Sequence, residues 1–184
     1  MRKLIAAINM TLDGFCNHDA MTANDEIHEH FNELVRNADT MIWGRTTYEL
    51  MESYWPVLVK KPSGNKPTDE FAILVDNISK IVFSRTRENF PWSNTTLKKE
   101  LHKEEILDLK QQTGKNILIG SPSLIVAFTK LGLIDEYQPV VQPIILGNGL
   151  PLFKNITNRV ELKLLKTKTF HCGAVALYYE PTKK

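Results

Sequence analysis

The residues best suited to chemistry in this 184-residue chain lie in short turns that join apolar runs to amphipathic ones. Gly44-Arg45-Thr46-Thr47 brings backbone N–H groups, a guanidinium and two hydroxyls to the start of a helical pattern, which is the donor set of an anion site. Ser84-Arg85-Thr86 repeats the hydroxyl and guanidinium just past another apolar run. Gly120-Ser121-Pro122-Ser123 is a third such turn, where glycine lets the backbone come close to a pyrophosphate. A dinucleotide with an extra ribose phosphate needs several anion contacts, and arginine at these turns favours NADPH over NADH. Each turn also has a plainer reading: Gly44 permits a tight turn, Thr46 caps a helix, and Arg45 and Arg85 are solvated charges. Gly147-Asn148-Gly149 is no dinucleotide fingerprint, because the third glycine is missing and Pro151 stops a following helix; it reads as a turn at a strand end.

Two residues offer proton chemistry. Asp13 stands in the turn after the first apolar run, and His28 borders the apolar face of the first helical pattern with an ordinary pKa near neutrality. Their plainer readings are a common Asp-Gly turn and a structural histidine on a helix flank. His28 and His30 diverge on a helix, and Cys16 and Cys172 lack paired spacing, so no metal site and no disulfide framework are expected.

The elements that must position these groups alternate. Lys3 to Asn9 is an apolar strand; Asn24 caps a helix with Asp25 and Glu26 in its first turn and Ile27, Phe31, Leu34 and Val35 as its apolar stripe. Thr40 to Trp43 is a strand, and Thr46-Thr47-Tyr48-Glu49 has the spacing of a capping box that opens a helix. A helix over Glu70 to Val75, a strand over Lys80 to Phe83 and a helix over Glu100 to Gln112 come next. A strand over Asn116 to Ile119, a helix over Ser123 to Leu131 ended by Gly132, and a long strand over Glu136 to Leu146 follow. The helices then stop, and Val160-Leu162-Leu164 with Ala174 to Tyr179 predict an antiparallel hairpin around His171-Cys172-Gly173. The pattern is that of an α/β domain, with a mostly parallel sheet, helices on both faces and a C-terminal antiparallel hairpin. In such sheets ligands lie beyond the carboxyl ends of the strands, where the three turns fall.

The 23 basic and 21 acidic residues are interspersed, which leaves no footprint for nucleic acid or membrane. No apolar run approaches a membrane span, and with two unpaired cysteines the chain reads as a cytoplasmic protein of one domain, residues 1–184. Pro139 and Pro143 mark their strand as an edge or a bulge, and with the terminal hairpin it is expected to mediate a homodimer.

Several of these pieces, in this order, resemble the dihydrofolate reductase superfamily: Thr11-Leu12-Asp13-Gly14, Gly44-Arg45-Thr46-Thr47-Tyr48-Glu49, Tyr54-Trp55-Pro56, Ile81-Val82-Phe83-Ser84-Arg85, and Gly120-Ser121 with Gly132-Leu133-Ile134-Asp135-Glu136. Ile145-Leu146-Gly147-Asn148-Gly149-Leu150-Pro151-Leu152-Phe153 is more similar to the riboflavin-biosynthesis reductase branch. The resemblance implies a three-layer α/β/α dihydrofolate reductase-like fold and hydride transfer from NADPH to a ribosylamino-pyrimidine or pteridine-like substrate. It places Arg45 and Thr47, with Gly44 and Thr46 in the same turn, on cofactor phosphate, Ser84 and Arg85 on the 2′-phosphate end, and Gly120 and Ser121 on the pyrophosphate. Folate reductases usually carry two glycines at the last of these turns, and their first helix carries an acid where this chain has Ile27. That leaves Asp13 and His28 as the candidate catalytic residues, and it keeps a non-catalytic nucleotide-binding module of the same fold as the rival. The bifunctional relatives carry a zinc deaminase domain, for which this chain has no paired-cysteine motif.

Overall fold

A computed structural model describes residues 1–22 and 24–182. The eight strands are β1 (Leu4–Thr11), β2 (Ala38–Gly44), β3 (Ser79–Phe83), β4 (Thr95–Lys98), β5 (Asn116–Ile119), β6 (Glu136–Gln142), β7 (Leu162–Thr169) and β8 (Val175–Pro181). The helices are α1 (Asp25–Arg36), α2 (Arg45–Lys60), α3 (Lys66–Asn77), α4 (Lys103–Gln111) and α5 (Pro122–Lys130). The strands form one sheet in the order β4-β3-β2-β5-β1-β6-β8-β7, parallel except for the last pairings, so the expected α/β class with an antiparallel C-terminal hairpin stands. The chain groups into two compact units, Met1–Arg2 with Ala23–Leu118, and Lys3–Thr22 with Ile119–Lys184.

In the first unit, β2 runs parallel to β3 with Gly44 opposite Phe83, and β3 runs parallel to β4. Trp43, Ile42, Val82 and Ile117 are buried, as an apolar strand in the middle of a sheet requires. Asn24 caps α1 as its sequence predicts, its side-chain oxygen accepting from Ile27 N–H at 2.9 Å. The buried face of α1 carries His30 and Asn32 as well as Ile27 and Val35, whereas Phe31 and Leu34 are only half-buried. Asn32 is tolerated there because its Nδ2 donates to the Pro67 carbonyl at 2.9 Å, which ties α1 to α3.

Three boundaries differ from the sequence reading for local reasons. The capping box at Thr46-Thr47-Tyr48-Glu49 does not form: α2 already begins at Arg45, with Gly44 as its N-cap and no side-chain cap, so Thr46 lies inside the first turn. α3 starts four residues before the expected Glu70, because Asn65 accepts from Thr68 N–H at 3.0 Å and Pro67 suits the first turn. β4 was not expected at all: its four residues are half-buried or exposed and carry no apolar alternation.

Lys80, in β3, is only 1% exposed. Its Nζ donates to the carbonyls of Asp76 and Ile78 at 2.9 Å and of Ser93 at 3.1 Å, and lies 4.6 Å from the centre of the Trp92 ring. The lysine thus closes the carboxyl end of α3, where carbonyls lack helical partners.

In the second unit, β1 pairs with β6 in parallel, β6 with β8 antiparallel, and β8 with β7 antiparallel through a register shift between Leu164 and Lys166. Pro139 therefore sits in an interior strand, opposite Ile8, and not on the edge that a strand proline suggests. β6 stops at Gln142, before Pro143, so the long strand expected to Leu146 is cut short. α5 is joined to β6 by a 2.9 Å hydrogen bond between Thr129 Oγ1 and the Tyr137 hydroxyl. Thr129 Oγ1 donates to the Ile125 carbonyl, so the tyrosine is the donor in that bond. A cavity of about 240 Å³ opens beside this pair, lined by Phe153, Ile156, Val160 and Leu162 among others.

Candidate active site

The parallel register of β2 and β3 decides where the first two turns emerge. Gly44 is opposite Phe83, so Arg45, which opens α2, and Ser84, which follows β3, leave neighbouring strands at the same level. Arg45 and Thr46 are exposed, Thr47 is half-buried, and α2 begins without a side-chain cap. Ser84 is buried; its Oγ accepts from Arg87 N–H at 2.9 Å and Thr86 N–H at 3.4 Å, which folds the turn and leaves the hydroxyl proton as a donor. Arg85 is exposed, and among the described residues its guanidinium has no ion-pair partner. Two adjacent turns thus offer guanidinium, hydroxyl and helix N-terminus donors, a set that fits a phosphate monoester.

Residues to which the sequence assigned no part in binding complete this region. Arg87 Nη2 contacts Glu52 Oε2 at 2.8 Å, Nε donates to the Asn89 carbonyl at 2.8 Å, and the guanidinium lies 5.2 Å from the Tyr48 ring centre and 4.9 Å from that of Phe90. Tyr48 donates its O–H to Glu52 Oε1 at 2.9 Å and accepts from Trp92 N–H at 3.0 Å. Glu49 Oε1 is 3.6 Å from Arg45 Nη1 and 3.6 Å from Arg87 Nη1. The i, i+4 spacing of Arg45 and Glu49 is a signal that sequence can supply. Nothing in the sequence announces Arg87.

Gly120 and Ser121 stand at the β5–α5 junction, Ser121 buried as the N-cap and the intervening peptide trans. A Cβ on Gly120 would meet the Ala7 carbonyl oxygen at 3.4 Å, so β1 passes close to this backbone. Asp13 belongs to the same unit and is engaged locally. Its carboxylate accepts from Thr11 Oγ1 at 2.5 Å, Gly147 N–H at 2.8 Å and Leu146 N–H at 3.1 Å, pinning the Gly147 turn to the end of β1. The Thr11 hydroxyl first, and then these amides, hold the Asp13 pKa below the usual carboxylate value, so the group is an anion at neutral pH. Asn17 Oδ1 continues the clasp by accepting from Leu150 N–H at 2.6 Å.

His28 is half-buried on α1, its ring edge-on to Trp55 at 6.2 Å and Phe71 at 6.3 Å. Burial among these rings lowers its pKa, with Asp25 acting in the opposite direction, so the imidazole is neutral at pH 7. Among the described residues no group of three or more His, Cys, Asp and Glu side chains is placed to hold a metal, and no helix is long and apolar enough to cross a membrane.

Comparison with known proteins decides the family, for a model of the RibD C-terminal domain matches residues 2–176. The chain belongs to the RibD C-terminal domain family. That family is of the reductase type found in riboflavin biosynthesis. The RibD-type chain is also 33% identical over 182 residues to the uncharacterized protein YyaP of Bacillus subtilis (strain 168), covering 97% of this chain and 94% of that one. A putative riboflavin biosynthesis protein from Shewanella sp. PV-4 matches with a TM-score of 0.75 at 22% identity, over 98% of this chain and 99% of the other. Dihydrofolate reductase from Enterococcus faecalis, solved with NADP(H), matches with a TM-score of 0.64 at 16% identity, over 98% and 97%. These likenesses show the dihydrofolate reductase-like fold that the sequence implied.

Proposed function

We propose that this RibD-type chain, as one domain, is an NADPH-dependent reductase of a ribosylamino-pyrimidine or a pteridine-like ring. That reaction is similar to the one of 5-amino-6-(5-phosphoribosylamino)uracil reductase. The observation that carries the reading is the pair of neighbouring turns that leave β2 and β3 at one level of the sheet, with Arg45 in the first and the exposed Arg85 in the second. Arg45 and Thr47, with Gly44 and Thr46 at the start of α2, bind cofactor phosphate; Ser84 and Arg85 bind the 2′-phosphate. Gly120 and Ser121 meet the pyrophosphate with backbone at the start of α5. The cofactor supplies the hydride, and the protein supplies its position.

Titration with NADPH and NADH, followed by thermal unfolding, tests the reading. At ligand near 100 times its dissociation constant NADPH should add ~2.7 kcal/mol of stability, or roughly 5–10 °C. NADH should give less, and oxidation of NADPH should follow addition of a reducible pyrimidine or pteridine. No shift with either cofactor removes the reading. Binding without turnover on any such ring selects the non-catalytic module, which Ile27 in the place of a helix acid favours.

Of the two proton candidates, His28 is retained as the donor, while the hydrogen bonds of Asp13 suit it to hold the Gly147 turn in place. His28 is protonated only below its lowered pKa, so activity it drives rises as pH falls through that value from neutrality. His28→Gln should abolish that rise; a pH–rate profile with the same acid limb in the variant rules the donor role out.

The chain is further proposed to be a homodimer. All eight residues of β7 are exposed, and its outer edge ends the sheet, with Leu162, Leu164 and Leu165 uncovered. An open edge strand of this kind calls for a cover. Light scattering behind size exclusion should give twice the chain mass, and a monomer mass at micromolar concentration refutes the proposal.

A further inference from the structure

Two guanidiniums from different turns converge on one carboxylate oxygen in this protein. Arg45, at the start of α2, and Arg87, four residues past β3, each place an Nη1 3.6 Å from Oε1 of Glu49. Both contacts are longer than a charge-assisted hydrogen bond, which closes at about 2.7–2.9 Å. The neighbouring contact of Arg87 with Glu52 is 2.8 Å, and Glu52 is itself held by the Tyr48 hydroxyl at 2.9 Å. The Arg87 guanidinium is therefore fixed on one side by Glu52, Tyr48 and Phe90. The Glu49 side remains loose.

We infer that Glu49 is a resident stand-in for the phosphate: it occupies the anion position between Arg45 and Arg87, gives way when the cofactor's 2′-phosphate enters, and thereby sets how strongly the protein prefers NADPH to NADH. This rests on the cofactor reading above, narrows the phosphate held by Arg45 to the 2′-phosphate that Ser84 and Arg85 also meet, and adds Glu49 and Arg87 to that site. The charge arithmetic supports the exchange. Without ligand, Glu49 and Glu52 balance Arg45 and Arg87, and Arg85 adds one positive charge nearby in sequence. A phosphate monoester carries close to two negative charges and three acceptor oxygens, so it outbids a single carboxylate oxygen held at 3.6 Å for the same donors. The site is half-exposed at Arg45 and Glu49, which lets the carboxylate rotate into solvent at little cost. Glu52 keeps Arg87 oriented throughout, so the second guanidinium is already aimed when the phosphate arrives.

The consequence is unusual for removal of a binding-site charge: Glu49→Gln should bind NADPH more tightly. The variant loses the competitor and the repulsion against the incoming phosphate while keeping the size of the side chain. A surface charge contact is worth up to ~1 kcal/mol, which corresponds to a dissociation constant about three- to fivefold lower for NADPH. NADH, lacking the phosphate, should change by less than about a factor of two on the same scale. The affinity of the variant should also fall more steeply with added salt, since the guanidiniums are no longer screened from within. The experiment measures dissociation constants of wild type, Glu49→Gln and Glu52→Gln for both cofactors by fluorescence titration at two salt concentrations. Glu52→Gln should weaken NADPH, because Arg87 loses its anchor, and this opposite sign separates competition from mere disturbance of the turn. Unchanged or weaker NADPH binding in Glu49→Gln, or equal tightening for both cofactors, overturns the inference. A wild type that binds NADPH and NADH equally well rejects the cofactor reading itself, and the inference falls with it.

Discussion

Replacing Lys80 with methionine should lower the melting temperature by roughly 2–12 °C, at about 2–4 °C per kcal/mol for a chain of this size. Methionine keeps the apolar stem and removes the donor. The Asp76, Ile78 and Ser93 carbonyls, which now accept from Nζ, are left in a place where the lysine itself is only 1% exposed. A buried polar group left without its partner costs about 1–3 kcal/mol, and one partner of a set is worth more to remove than the whole set. The opposing term is real, since burial pushes the ammonium pKa down to about 8 while Asp76 resists that fall. Its sign can be measured separately. The unfolded chain has the ordinary lysine value of 10.5 and binds more protons than the folded one between pH 8 and 10.5. The burial cost is therefore full below pH 8 and relieved as pH rises through that window, so wild-type stability climbs there relative to the variant. Denaturant melts of both proteins at pH 7, 8.5 and 10 give the comparison; equal stabilities at every pH would show that the three carbonyls do not need the lysine.

Lys80 also shows what a sequence hides. A lysine at the head of an apolar strand reads as a solvated end, and only the carbonyls gathered from α3 and from Ser93, 13 residues on, reveal it as a buried closure. What was legible depended on local causes. The Asn24 cap, the apolar runs of β1, β2 and β5 and the closing hairpin follow from periodicity and capping chemistry contained within each segment. Part of what was misread depended on partners far along the chain, and part on a local cause that a rival signal masked. Pro139 suggests an edge, yet β6 is flanked by β1 and β8, because a proline needs only one unpaired N–H and a strand can supply it while still pairing on both sides. Thr46 has the right spacing for a cap but is overtaken by a strand that runs through Gly44 directly into α2. At the candidate site the same division holds. Turn residues carrying donors were visible, whereas Arg87, Glu52 and Tyr48 join them only through contacts between α2 and the stretch after β3.

Arg45→Ala should weaken NADPH binding by about 10- to 100-fold, the span given by a charged hydrogen bond worth ~1.5–3 kcal/mol. The loss for NADH should be smaller, which shrinks the ratio of the two dissociation constants; that ratio is the informative number because it cancels any general damage to the turn. The upper end of the range is unreachable if Arg45 is merely a surface partner of Glu49, since its side chain is 48% exposed and such a pair is screened by water and salt. The double variant Arg45→Ala with Glu49→Gln carries the argument one step further. If the carboxylate acts by competing for Arg45 as well as Arg87, removing it cannot tighten binding as much once Arg45 is gone, and the two changes are non-additive. Full additivity, with Glu49→Gln gaining the same factor in either background, would assign the competition to Arg87 alone. A ratio of NADPH to NADH affinity unmoved by Arg45→Ala would remove the turn after β2 from the phosphate site.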